Sequence, residues 1–184
     1  MGTSEPGHSS TPVSSNSPPQ RLLIDVIRRD DAWGDVVSED VLVNAAQAAF
    51  AASGTVLPGP AEVSLLLCDD HEIRELNRNW RGKDEATNVL SFPIGAVPYG
   101  EAPESLGDVA LANETVMREA RDLCVPVEQH AVHLVVHGIL HLVGHDHVSE
   151  EDAQEMEALE TKILADLGYP DPYAPQATMN GEER

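Results

Sequence analysis

From Val127 to Val143 the chain reads VEQHAVHLVVHGILHLV, an apolar run interrupted only by a few polar residues, among them His130, His133, His137 and His141. Apolar side chains fall on nearly every side of the 3.6-residue repeat, so the helix predicted here is buried almost all round. Pro126 suits its first position, where a missing N–H costs nothing. The four histidines share one stripe of that helix. The fold must therefore wrap other elements around this segment while leaving its histidines something to bind.

The segment continues through His141-Leu-Val-Gly144-His145-Asp146-His147. Two histidines four apart on a helix lie one above the other, so His137 and His141 can reach a single ion at Zn–N distances near ~2.0–2.1 Å. Gly144 stands where the helix should end and can turn the chain sharply in the left-handed conformation. The next imidazoles then swing toward the same ion. Three protein ligands leave a fourth position for water or substrate, the mark of a catalytic zinc site. The spacing H-x-x-x-H-x-x-G-x-x-H equals that of the metzincin metalloproteases and favours His147 as third ligand, with His145 as the alternative. Gly138, however, occupies the place of their catalytic glutamate and cannot take a proton from water. His133 and His137 are also four apart but lack a glycine turn at the right distance, and His130 and His133 read as satisfied core residues.

The remaining sequence supplies the frame. The 184 residues, 41% of them hydrophobic, suffice for one core and are short for two domains. Strands are predicted at Leu22–Ile27, Glu62–Cys68, Asn88–Phe92 and Asp108–Ala112. The last two are separated by a Gly- and Pro-containing loop that can border a cleft. Helices are predicted from the Ser38 cap to Ala52, from the Asp69-Asp70 cap through Trp80, from Glu114 to Leu123, and from the Ser149 capping box to Leu167. In the second of these, Ile73, Leu76 and Trp80 form one apolar stripe while Arg74, Arg78 and Arg81 share another face. Residues 1–20, rich in Ser and Pro, read as a disordered tail, residues 21–173 as the domain, and residues 174–184 as a flexible acidic tail. The two cysteines, Cys68 and Cys124, have no metal or disulfide spacing, and neither a membrane-spanning run nor a secretory signal is visible, which fits a reducing cytoplasm.

A net charge of -21 argues at first against a nucleic-acid partner, which normally meets a basic footprint. Arg74, Arg78, Arg81 and Lys83 nevertheless cluster within ten residues and form a local basic site. For Arg74 and Arg78 the simpler expectation is a solvated face paired with Glu75 and its neighbours.

Four blocks carry a resemblance over residues 62–173: Trp80 to Pro93 (WRGKDEATNVLSFP), Leu106 to Val109 (LGDV), the histidine segment, and Met156 to Glu160 (MEALE) leading to Leu167–Tyr173 (LGYPDPY). In these the chain resembles the bacterial YbeY endoribonucleases, also called rRNA maturation factors. The resemblance implies a single-strand-specific, metal-dependent endoribonuclease acting in 3′-end maturation of small-subunit (16S) rRNA and in ribosome quality control. It implies zinc on His137, His141 and His147 and a catalytically important Arg81. Read by itself, Arg81 is an exposed helix-end arginine favoured by the dipole. Where the family often has tyrosine, this chain has His145. No residue declares itself as general base.

The expected fold is α+β: a small mixed four-stranded sheet packed with helices, one of them a zincin-like metal helix. The expected cofactor is one zinc ion per chain. The expected partners are single-stranded RNA, rRNA and the small ribosomal subunit, with no membrane and no DNA. A metzincin-like metallopeptidase and a non-catalytic zinc-containing assembly factor are the rival readings.

Overall fold

The computed structural model describes residues 22–57, 59–95 and 105–174; the two tails expected at 1–20 and 174–184 lie outside them except for Ala174. Four strands, β1 (Leu22–Arg28), β2 (Ala61–Cys68), β3 (Val89–Pro93) and β4 (Ser105–Ala112), form one sheet in the order β1-β2-β4-β3. β1, β2 and β4 run parallel, and β3 joins β4 antiparallel at an edge. The sheet is therefore mixed and the fold α+β.

Alternation along the strands decides what each face meets. Val63, Leu65 and Leu67 of β2 and Val109 and Leu111 of β4 face the main core with α1 (Glu39–Ala52), α4 (Val127–Leu142) and α5 (Glu150–Asp166). Leu66 and Cys68, with Ala110 and Ala112, face the other way toward α2 (Asp70–Arg81). α3 (Asn113–Asp122) contributes Val116 to the main core. Helix starts follow the expected caps: Ser38, Asp69 and Ser149 each accept a backbone N–H of the first turn. Pro126 sits one position earlier than expected, as the N-cap of α4.

Two features depart from the sequence expectation. A 3-10 turn at Asp31–Asp35 buries Trp33, whose indole N–H donates to the Cys68 carbonyl at 3.0 Å. Trp80, expected to share the buried stripe of Ile73, is instead 74% exposed. Its ring stands against Phe92 of the edge strand β3, with centroids 6.2 Å apart. Most of the Gly- and Pro-containing loop before β4, residues 96–104, lies outside the described residues. Among the described residues no single helix is long and apolar enough to cross a membrane.

Candidate metal centre and its cleft

α4 is clasped between the sheet and α5, and its histidine stripe faces α5 and a cleft beside β3. The helix ends in a Schellman turn: the Gly144 N–H donates to the His141 carbonyl at 3.1 Å and the His145 N–H to the Leu140 carbonyl at 3.0 Å. Gly144 has φ +97°, a conformation that strains any residue with a Cβ. The turn returns the chain so that the His147 ring stacks on His137, with centroids 5.7 Å apart, and meets His141 edge-on at 5.0 Å.

Candidate ligand nitrogens of His137, His141 and His147 all lie within 4.8 Å of one another. His137 Nε2 and His141 Nε2 are 3.0 Å apart. Two Zn–N bonds of ~2.0–2.1 Å at a tetrahedral angle place their nitrogens about 3.3 Å apart, so the pair fits zinc. Burial, with the neighbouring His137 and His147 adding like charge, lowers the pKa of His141 and favours the neutral imidazole that a metal requires. His145 lines the same cleft but is outside this three-histidine group.

Behind the histidines lies a group that the sequence reading did not identify. Glu160, on α5, is fully buried. Its Oε1 accepts from His137 Nδ1 at 2.7 Å, and its Oε2 accepts from His133 Nε2 at 2.9 Å and from the Tyr173 hydroxyl. Burial by itself raises the pKa of Glu160, but the hydrogen bonds from His133, His137 and Tyr173 outweigh it and hold the carboxyl down at about 2. An ionised acceptor at Nδ1 keeps the His137 proton there and leaves Nε2 free to ligate. The legible signal was an acid in register with Met156, Ile163 and Leu164 on the apolar stripe of α5. His130 and His133 are satisfied by carboxylates, His130 by Glu119 at 2.8 Å and His133 by Glu160.

Gly138 is fixed by packing. A Cβ there would stand 2.7 Å from Val109 Cγ1 and 3.1 Å from Ser91 Oγ, and Ser91 Oγ donates to the Gly138 carbonyl at 3.2 Å. The helix thus touches β3 and β4 at the position where a metzincin would carry its glutamate.

Across the cleft, whose volume is about 380 Å³, stands Arg81. Its Nη2 donates to the Ser91 carbonyl at 2.8 Å, and its guanidinium carbon lies 6.0 Å from the centre of the Phe92 ring. One hydrogen bond anchors the side chain while other N–H groups stay available to an anion. The loop after α2 that fixes this helix end is itself pinned: Arg74 grips Asp84 at 2.8 and 3.1 Å, and Asn77 Nδ2 donates to the Glu85 carbonyl at 2.9 Å. Arg78 lies 3.6 Å from Glu75 and 3.8 Å from Asp84. Arg74 and Arg78 are thus in ion pairs, Arg78 with Glu75 as the simpler expectation had it and Arg74 with Asp84 of the following loop instead, and Arg81 alone of the three reaches the cleft.

The family described as Endoribonuclease YbeY matches residues 29–168, a span that holds all three histidines and Arg81. The chain belongs to the YbeY endoribonuclease family. Relatives named Endoribonuclease YbeY include one from Azorhizobium caulinodans, 50% identical over 154 residues, covering 83% of this chain and 97% of the relative. Another, from Bradyrhizobium diazoefficiens, is 48% identical and covers 86% and 88% of the two chains. The solution structure of TM1509 from Thermotoga maritima shares the fold with a TM-score of 0.50 and 24% identity, covering 83% of this chain and all of that one.

Proposed function

We propose that this chain is a zinc-dependent endoribonuclease that cuts single-stranded RNA, acting on the 3′ end of small-subunit rRNA and in ribosome quality control in the cytoplasm. The observation that carries the reading is the convergence of His137, His141 and His147 with Arg81 in one cleft. The catalytic domain is residues 21–173, and its partners are rRNA and the small ribosomal subunit.

His137, His141 and His147 hold one zinc ion, which when bound supplies Lewis acidity toward a phosphoryl oxygen and lowers the pKa of water. Glu160 keeps His137 in the ligating tautomer. Arg81 binds the scissile phosphate through two N–H groups and offsets the charge that grows on its oxygens in the transition state. The peptidase reading lacks both the base and the space for one at residue 138. The test is incubation of the zinc-loaded chain with single-stranded RNA and with casein, beside His137→Ala. RNA cleavage that the variant loses, with casein intact, supports the proposal; cleavage of casein alone overturns it.

A further inference from the structure

A second cavity, of about 460 Å³, opens on the α2 face of the sheet, opposite the metal cleft. α2 covers only part of that face. Leu66 and Leu76 lie in its lining, Ile94 on its rim is 56% exposed, and Trp80 at 74% exposure stands against Phe92 with ring centroids 6.2 Å apart in a tilted pair. Exposing so much of an indole forfeits burial that Ile73, on the same helix, obtains in full. The two cavities meet at the edge strand β3: Pro93 lines both, and Arg81, which lines the metal cleft, also approaches the Phe92 ring.

We propose that this groove is a base-binding platform, on which Trp80 and Phe92 take up unpaired bases of the RNA strand whose phosphate is held by Arg81. The proposal rests on the endoribonuclease reading and names how that substrate is held. Charge is the first argument. A chain of net charge -21 gains little from counterion release, and Arg74 and Arg78 are already tied to acids. Part of its hold on RNA must then come from contacts that do not need phosphate, and base–aromatic stacking is one that any unpaired base can make. The lining is the second argument. Asp108 is the one acid among the lining residues and repels phosphate, but a carboxylate can accept hydrogen bonds from base amino groups, and Arg29, also in the lining, lies 3.7 Å from Glu72 and so adds little free positive charge for a backbone. Continuity is the third: a strand leaving the metal cleft past Arg81 meets this groove directly, around the edge of β3. Stacking needs an unpaired base, so the same platform selects single strands.

The test uses intrinsic fluorescence, because the chain has two tryptophans and Trp33 is buried. The zinc-loaded full chain is titrated with a 2′-O-methyl single-stranded oligonucleotide and with an abasic one of equal length, and cleavage of the matching RNA is followed in parallel. The proposal expects Trp80 emission to be quenched by the first and not by the second. Trp80→Ala, titrated by the anisotropy of an end-labelled 2′-O-methyl oligonucleotide because the reporting indole is gone, should bind about 5- to 150-fold more weakly than the wild-type chain in the same assay at both low and high salt, with zinc content unchanged, and Trp80→Phe should recover most of that loss. If RNA is bound and cut while Trp80→Ala keeps full affinity, the platform is refuted and the endoribonuclease reading stands. If the wild-type chain neither binds nor cuts RNA, both fail.

Discussion

Glu160→Gln is nearly isosteric, yet it strikes the one buried acceptor that three donors share. Holding a carboxyl at about 2 instead of its ordinary 4.5 corresponds to about 3 kcal/mol in favour of the ionised, folded form. The folded pKa is lowered, so in the metal-free protein this contribution is complete above pH 4.5 and disappears as pH falls toward 2. Glutamine can satisfy the donors on only one side of its amide. If its NH2 faces His137, the imidazole must accept at Nδ1 and carry its proton on Nε2, the atom that lies 3.0 Å from His141 Nε2. Turned the other way, it meets His133 and Tyr173, both of which donate to Oε2. We therefore expect Glu160→Gln to lose about 2–4 kcal/mol of stability at pH 7 in urea unfolding of the metal-free protein. Its zinc affinity, measured by chelator competition, should fall about 10- to 100-fold. The stability difference should narrow as pH drops below 4.5. Wild-type zinc affinity together with wild-type stability in the variant would refute the assignment of Glu160 as the residue that orients His137.

Three further outcomes follow from the same geometry. His141→Ala should lose its zinc by elemental analysis while His130→Ala, which contacts Glu119 and not the metal histidines, keeps it. Arg81→Ala should retain zinc, because a guanidinium has no lone pair for a metal, and lose turnover far more than RNA affinity; Arg81→Lys should restore little. Full cleavage by Arg81→Ala with zinc bound would remove Arg81 from the chemistry. Gly138→Ala should destabilise by about 1–3 kcal/mol, since its Cβ would meet Val109 at 2.7 Å, and a thermal melt identical to wild type would contradict the packing.

Where local rules act alone, the sequence was readable. Ser38, Asp69 and Ser149 start helices because a short side chain reaches the N–H groups of its own first turn, whatever lies elsewhere. The helix that ends at Gly144 and the return of His147 follow from a glycine that can take φ +97°. Tertiary context decided the rest. Trp80 fits the apolar stripe of its helix yet lies exposed beside Phe92 on the edge strand β3, a neighbourhood that helical periodicity does not encode. Trp33 is buried by a turn with no periodicity to announce it. Glu160 stands out from the other acids of its helix only by its place on the apolar stripe, and which donors it meets is decided when α5 is laid against α4, where His133, His137 and Tyr173 converge on it.

The most direct test of the whole account is a zinc titration of RNA cleavage. The chain is stripped with chelator, reloaded in steps, and assayed at each step on a single-stranded RNA, with bound zinc measured on the same samples. We expect no cleavage in the stripped chain, a linear rise, and a plateau at one zinc per chain, with His137→Ala inactive throughout. Cleavage at full rate by the stripped chain, or by His137→Ala, would contradict it.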